Sequence, residues 1–289
     1  MRLAHIASSS EPLAVVEGAK IAPLTPRTGF ATVDDLVAAG AGAWAETAVA
    51  AAEALASEDA VELDGVELSA PLTAPSKIAC IGLNYRDHCR ETGLAEPARP
   101  LVFAKFLSSL TGPGAPISWP AGLTEKVDWE VELAAVIGRR LREVAVEDAL
   151  DGVFGYTVAN DVSARDLQFS DEQWVRGKSL DTFCPLGPSI VTAEEFGDPQ
   201  DKKLALRVNG ETRQDSTTAE MIFSTAEIVS FLSHNFTLEP GDLVLTGTPW
   251  GCGGFADPPT FLQAGDIVEA EVEGIGILAN PVEGPESGG

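Results

Sequence analysis

The sequence predicts a mainly β (α+β) architecture with short peripheral helices, preceded by a small N-terminal α+β domain. Three observations carry this. From Lys77 onward, short apolar runs are punctuated by Gly and Pro every ten to fifteen residues. The stretches with helical periodicity in that region are brief. Before it, an Ala-rich helical stretch follows two strand-like runs, a different composition from the rest.

In the N-terminal region, 1–74, residues 2–6 and 13–24 read as strands joined by polar turns. The stretch 33–57 places Val33, Leu36, Val37, Trp44 and Leu55 at helical spacing, with Asp34 and Asp35 near its start. The boundary falls near Pro71–Pro75. The second domain, 75–283, offers strands at 77–82, 101–105, 128–138, 153–160, 188–192, 203–209, 243–246 and 267–273. Its helices are expected at 146–151, 163–168 and 225–234, too short for a doubly wound parallel sheet. The Pro/Gly/Glu/Ser tail, 284–289, is expected to fray.

Charge narrows the range of partners. The 289 residues include 44 Asp and Glu against 19 Lys and Arg, a net charge of −25. That field repels nucleic acid and anionic membrane. It also repels an anionic substrate, so a site for one needs local positive charge from a metal or from Lys and Arg. Four scattered cysteines without a C-x-x-C pair read as reduced thiols of a cytoplasmic protein, and three histidines argue against a zinc site. No apolar run reaches membrane-spanning length, and the N-terminus lacks a signal-peptide core.

Four segments carry chemistry. In Asp128-Trp-Glu-Val-Glu-Leu, strand alternation puts Glu130 and Glu132 on one face, about 7 Å apart at Cα. Two like charges held together at partial burial call for a cation between them, and hard divalent ions take such oxygen ligands. The alternative is an acidic stripe facing solvent. Asp161, in Asn160-Asp161, stands where a strand meets a helix, a place for either a ligand or a helix cap. His88 and Glu91 share one face of a helical turn, where a carboxylate steadies an imidazole that can act as a base, or else forms a surface ion pair. Lys178, in Arg176-Gly-Lys178 ahead of a Pro-Leu-Gly-Pro turn, suits a carboxylate or carbonyl contact if it is not simply a surface lysine. The glycine run Gly247 to Gly254 has neither a P-loop ending nor a dinucleotide fingerprint, and reads as a tight loop beside a pocket.

Together these segments resemble the fumarylacetoacetate hydrolase family. Its pattern G-x-N-Y-x-x-H-x-x-E appears from Gly82 to Glu91, F-x-K as Phe103 to Lys105, and E-x-E as Glu130 to Glu132. The N-D-x-[ST]-A-R-D-x-Q block ends at Gln168, the K-S-x-D block runs from Lys178 to Pro188, and T-G-T-P is Thr246 to Pro249. The likeness covers residues 77–280 in order. It implies a mixed β-sheet roll, assembled as a homodimer. It also implies a divalent metal, Mg²⁺ or Mn²⁺ (with Ca²⁺ as a stand-in in crystals), held by Glu130, Glu132 and Asp161. Lys178 would sit beside a small 2-oxo acid, with His88 and Glu91 as the catalytic dyad. Arg165, Gln168, Lys105 and Thr248 would line the pocket. Trp250 and Cys252 depart from the family's residues after T-G-T-P, and a Trp beside Thr248 is expected to narrow the pocket.

The reaction implied first is hydrolytic C–C cleavage of a 2,4-dioxo acid of acylpyruvate or fumarylpyruvate type, through an enolate that the metal stabilises. The same enolate serves the alternatives, a 2-hydroxyhepta-2,4-diene-1,7-dioate isomerase or an oxaloacetate decarboxylase. A non-catalytic binding module is the reading from another class, against which the intact H-x-x-E, E-x-E and N-D elements speak.

Overall fold

A computed structural model describes residues 1–286. Its largest element is a 12-stranded mixed sheet. The centre of that sheet is Val131–Ile137, buried at every position. It runs antiparallel to Val153–Asn160 on one side and to Leu243–Leu245 on the other. Leu243–Leu245 continues in parallel to Ile78–Gly82, and Leu101–Lys105 closes that edge. A separate five-stranded sheet is built from Glu211–Thr217, Lys203–Val208, Ile267–Val272, Gly276–Glu286 and Ile117–Pro120.

Side-chain alternation in the central strand sorts the core into two layers. Val131, Leu133, Ala135 and Ile137 join Tyr156, Val158, Leu206 and Val268 in one apolar cluster. Ala134 and Val136 join Leu3, Leu36, Val37 and Ile190 in the other, on the side of the N-terminal helices. Glu132 shares the parity of Ala134 and Val136, so its carboxylate stands at the end of the second layer.

The N-terminal region is built into the same sheet. Arg2–Ile6 pairs antiparallel with Cys184–Thr192, with Arg2 opposite Val191 and Leu3 opposite Ile190. The apolar run 13–24 is a hairpin, Leu13–Glu17 and Lys20–Pro23, turning at Gly18 with φ 58°. The predicted helix 33–57 is two helices, Val33–Ala39 and Ala41–Leu55. The break is Gly40, whose φ of 84° and extended ψ no helix continues. Thr32 starts the first with a capping box to Asp35. His5 ties this region together: its Nδ1 bonds the Ala70 carbonyl at 2.9 Å, and its Nε2 accepts the Val33 N–H at 2.8 Å.

Three of the strands that escape sequence reading lie in the five-stranded sheet. Glu211–Thr217 is polar throughout, and Ile117–Pro120 is short. Gly276–Glu286 carries the Gly and Pro that suggest a loose tail, yet it pairs through Glu286 with Pro120. The rest of the expected frayed tail lies outside the described residues. The expected strand 128–138 is interrupted, since Val127–Asp128 pairs with Ser163–Ala164 before Val131 enters the main sheet. Among the described residues no helix is long and apolar enough to cross a membrane.

Candidate active site

Two strand ends bring the acidic residues together. Val131 faces Asn160 in the sheet register. That places Asp161, one residue past its strand, beside Glu130. The Asp161 N–H donates to the Glu130 carbonyl at 2.9 Å, and the Glu130 N–H donates to Asn160 Oδ1 at 3.0 Å. One oxygen from each of Glu130, Glu132 and Asp161 then lies within 4.8 Å of the others. All three are buried.

The protein's own cations are shared unevenly among these carboxylates. Lys178 Nζ donates to Glu130 Oε2 and Asp161 Oδ2, both at 2.8 Å. Lys105 Nζ donates to Asp161 Oδ1 at 2.6 Å, and Arg165 Nη1 lies 2.7 Å from Glu130 Oε1. Among the described residues Glu132 receives only the Gly247 N–H, at 2.6 Å. Burial works to raise the Glu130 carboxyl, but Lys178 and Arg165 outweigh it and hold the group at about 2. Glu132 goes the other way: burial, then the charges of Asp161 and Glu130, push it well above the usual carboxylate range. Burial opposes the charge on Lys178, yet Asp161 and Glu130 raise its pKa above the ordinary lysine value. Three convergent oxygens, one of them without a cationic partner, fit a hard divalent cation, whose charge would relieve the repulsion at Glu132.

The Arg86–Thr92 helix presents the imidazole. His88 Nδ1 lies 2.9 Å from Glu91 Oε2, and Glu91 Oε1 accepts the Gly251 N–H at 2.9 Å. The carboxylate is therefore fixed at both oxygens, and the His88 ring packs edge-on against Phe255, with centroids 5.3 Å apart. His88, Glu130, Arg165, Gln168, Lys178 and Thr248 all open on one cavity of about 110 Å³. Leu94, Phe103, Phe169, Trp174 and Phe255 form its apolar wall.

Of the residues singled out in the sequence, Glu132, Asp161, Glu91 and Lys105 stand behind this wall rather than on it. Lys105 is 2% exposed, and its ammonium also meets the carbonyls of Val162 and Lys178. It supports Asp161 from the far side. Trp250 does not line the cavity, contrary to expectation, and neither does Cys252. Trp250 is 44% exposed, with Nε1 donating to the Asp215 carbonyl, and Cys252 is buried elsewhere, its thiol pushed up by burial and by Glu130.

The glycine-rich loop explains what sequence reasoning missed. Its backbone N–H groups serve carboxylates from several elements: Gly247 to Glu132, Trp250 to Asp87 at 3.4 Å, Gly251 to Glu91, and Gly253 and Gly254 to the two oxygens of Asp128. Gly251 has φ 99°, and a Cβ there would sit 2.1 Å from the Arg213 carbonyl oxygen. Asp128 is fully buried and also accepts Arg165 Nε at 2.7 Å. Gln214 bridges the acidic strand to the loop. Its Oε1 accepts the Val131 N–H, while its Nε2 donates to Thr248 Oγ1 and the Pro249 carbonyl. Asp128, Gln214 and Asp87 thus hold the site without lining it. The clustering of glycines was the one local signal that backbone amides there had acceptors to reach.

Residues 77–283 match the family model described as fumarylacetoacetate (FAA) hydrolase C-terminal. A mitochondrial oxaloacetate tautomerase from Xenopus laevis is 49% identical over 219 residues, covering 75% of this chain and 68% of the relative. Among solved structures, 5-carboxymethyl-2-hydroxymuconate delta-isomerase from Mycobacterium smegmatis is similar at 36% identity and TM-score 0.78, covering 99% of this chain and 100% of that one. Maleylpyruvate hydrolase from Sphingobium sp. SYK-6, in complex with manganese(II) and pyruvate, is similar at 31% identity and TM-score 0.81, with the same coverage.

Proposed function

The chain belongs to the fumarylacetoacetate hydrolase family, whose enzymes act on small oxo acids, and on that premise we propose that it interconverts the keto and enol forms of a small 2-oxo acid such as oxaloacetate. The observation that carries this reading is the meeting of three buried carboxylates within 4.8 Å of one another and a His–Glu dyad, both beside one small cavity. Glu130, Glu132 and Asp161 would hold Mg²⁺ or Mn²⁺. Bound there, the ion supplies Lewis acidity that favours negative charge on the substrate's oxo oxygen.

The chain's own residues supply the rest. Lys178 and Arg165 bring positive charge to a strongly anionic protein and attract the substrate carboxylate. His88 takes the proton from the carbon next to the oxo group and delivers it to the oxo oxygen to give the enol, or the reverse, while Glu91 fixes the ring. Phe103, Phe169, Trp174 and Phe255 keep water from the carbanion. The support for tautomerisation over cleavage is the 49% identity to an oxaloacetate tautomerase.

Hydrolytic C–C cleavage of a 2,4-dioxo acid, the expectation from the sequence, is the second reading, favoured by the likeness to maleylpyruvate hydrolase. In it His88 would activate a water rather than a substrate carbon. The chain is further proposed to act in the cytoplasm and as a homodimer. The test follows the ultraviolet loss of enol-oxaloacetate with Mg²⁺. His88→Ala should slow it by about two to four orders of magnitude, and a variant with the wild-type rate removes His88 from the reaction.

A further inference from the structure

The cavity beside the carboxylates and the dyad measures about 110 Å³, well below the about 300–1,000 Å³ of common ligand pockets. A site this tight selects by fit, so the wall residue that sets its size decides which oxo acids enter. Two of the apolar wall residues are poorly suited to that task. Leu94 is 52% exposed and Phe169 61%, so either side chain yields toward solvent. Phe255 and Phe103 serve the polar groups instead. The Arg165 guanidinium lies 5.3 Å from the Phe255 ring centroid, and Lys178 Nζ lies 5.2 Å from that of Phe103.

Trp174 is the bulkiest side chain of the wall, and it is held from several directions. A Cβ on Gly82 would stand 2.5 Å from Trp174 Cζ3 and 3.1 Å from Cη2, so the glycine is what gives the indole its seat. Phe103 meets the indole edge-on, with centroids 5.4 Å apart. The backbone is fixed as well. Trp174 immediately precedes the Val175–Lys178 helical turn, and its carbonyl accepts the Lys178 N–H at 3.1 Å. Gly177 lets that turn lie against the Arg165–Ser170 helix, since a Cβ there would sit 2.6 Å from the Gln168 backbone nitrogen. Arg176 grips both oxygens of Asp171, at 2.6 and 2.7 Å, and so closes the loop that carries the indole. One turn therefore presents both the ammonium of Lys178 and the ring of Trp174, with Phe103 spacing them by two steps of just over 5 Å.

We propose that Trp174 is a specificity-determining residue, closing the Phe103 end of the cavity and restricting the enzyme to short, unbranched 2-oxo acids. A substrate whose carboxylate meets Lys178 extends its other end toward the indole. A longer or branched chain then meets a ring that Gly82 backs too closely for it to withdraw. One methylene too many in a fitted pocket costs about 10- to 200-fold. The proposal rests on the oxo-acid reading of this cavity and names the residue that measures the substrate.

The test is competition calorimetry on the full chain with Mg²⁺. Oxalate probes the head-group contacts. The acids 2-oxobutanoate and 4-methyl-2-oxopentanoate share one carboxylate and one oxo group and differ in the bulk that follows. The wild type should bind 2-oxobutanoate at least tenfold more tightly than the branched acid. Trp174→Ala should bring the two to parity or reverse them, through a gain of tenfold or more for the branched acid. A merely loosened site would weaken both acids instead, which overturns the proposal. Trp174→Phe, which keeps a smaller ring in the seat, should fall between, and it carries the test if circular dichroism shows Trp174→Ala unfolded. With oxalate bound by the wild type, equal affinities of the two acids there, or a ratio unchanged in the folded variants, overturn the role of Trp174 and leave the cavity's own role intact. Failure of oxalate to bind the wild type overturns the reading on which the proposal rests.

Discussion

Removing the Asp128 carboxylate should cost the fold more than any single substitution on the cavity wall. Asp128 is fully buried and accepts four hydrogen bonds: from Arg165 Nε at 2.7 Å, from its neighbour Trp129 at 2.8 Å, and from Gly253 and Gly254 at 2.7 and 2.8 Å. In Asp128→Ala, Arg165 keeps Glu130 but loses its Nε partner, and two loop amides lose their acceptors. Breaking one side of a buried ion pair costs about 3–5 kcal/mol. For a chain of this size, that lowers the midpoint of thermal unfolding by about 6–20 °C, at about 2–4 °C per kcal/mol. Circular dichroism of the metal-free protein measures it, together with Arg165→Ala and the double variant. The two single losses should fall short of additivity, because one interaction is removed in both. A drop below about 2 °C in Asp128→Ala, or strict additivity in the double variant, refutes the assignment of Asp128 as the anchor of Arg165 and the glycine loop.

The dyad predicts a graded response: Glu91→Gln should lower the tautomerisation rate by less than His88→Ala, with bound metal unchanged in both, as measured by elemental analysis beside the rate. His5 predicts an acid limb of stability. Burial lowers its pKa below the usual histidine value, and its Nε2 must stay unprotonated to accept the Val33 N–H. The unfolded chain binds a proton near pH 6.5 that the folded chain resists, so this contribution is full above that pH and lost as pH falls through 6.5 toward the lowered folded value. Urea unfolding at pH 7.5 and 5.5 should show the loss in the wild type and a shallower one in His5→Gln. A homodimer is expected at micromolar concentration by light scattering, and a monomer alone would refute it.

What the sequence shows of the site is what depends on near neighbours. Strand alternation makes Glu130 and Glu132 legible as a pair, although Glu130 stands in the interruption just before Val131, and His88 reaches Glu91 because a helix repeats. The pairing of Asp161 with Glu130 needed the register between two strands, which no local pattern states. Lys105 and Lys178 are long side chains whose targets depend on where the sheet brings their strand and helix. Arg2–Ile6 was legible as a strand, but its partner lies some 190 residues away at Ile190 and Val191. The holding roles of Asp128 and Gln214 are not legible in the sequence, because a buried polar group is defined by what it holds. Gly40 was hidden in an Ala-rich run that reads as continuous helix.

The central claim is that Glu130, Glu132 and Asp161 bind a divalent ion that makes enolisation of a 2-oxo acid fast. The direct measurement is the decay of enol-oxaloacetate absorbance with the wild type, first stripped by chelator and then resupplied with Mg²⁺ or Mn²⁺, alongside Glu132→Gln treated identically. The wild type should lose its rate on stripping and recover it on resupply. Glu132→Gln should remain folded by circular dichroism yet recover little at the same ion concentration. A stripped wild type that turns over at full rate, or a Glu132→Gln variant that recovers as fully as the wild type, contradicts the claim.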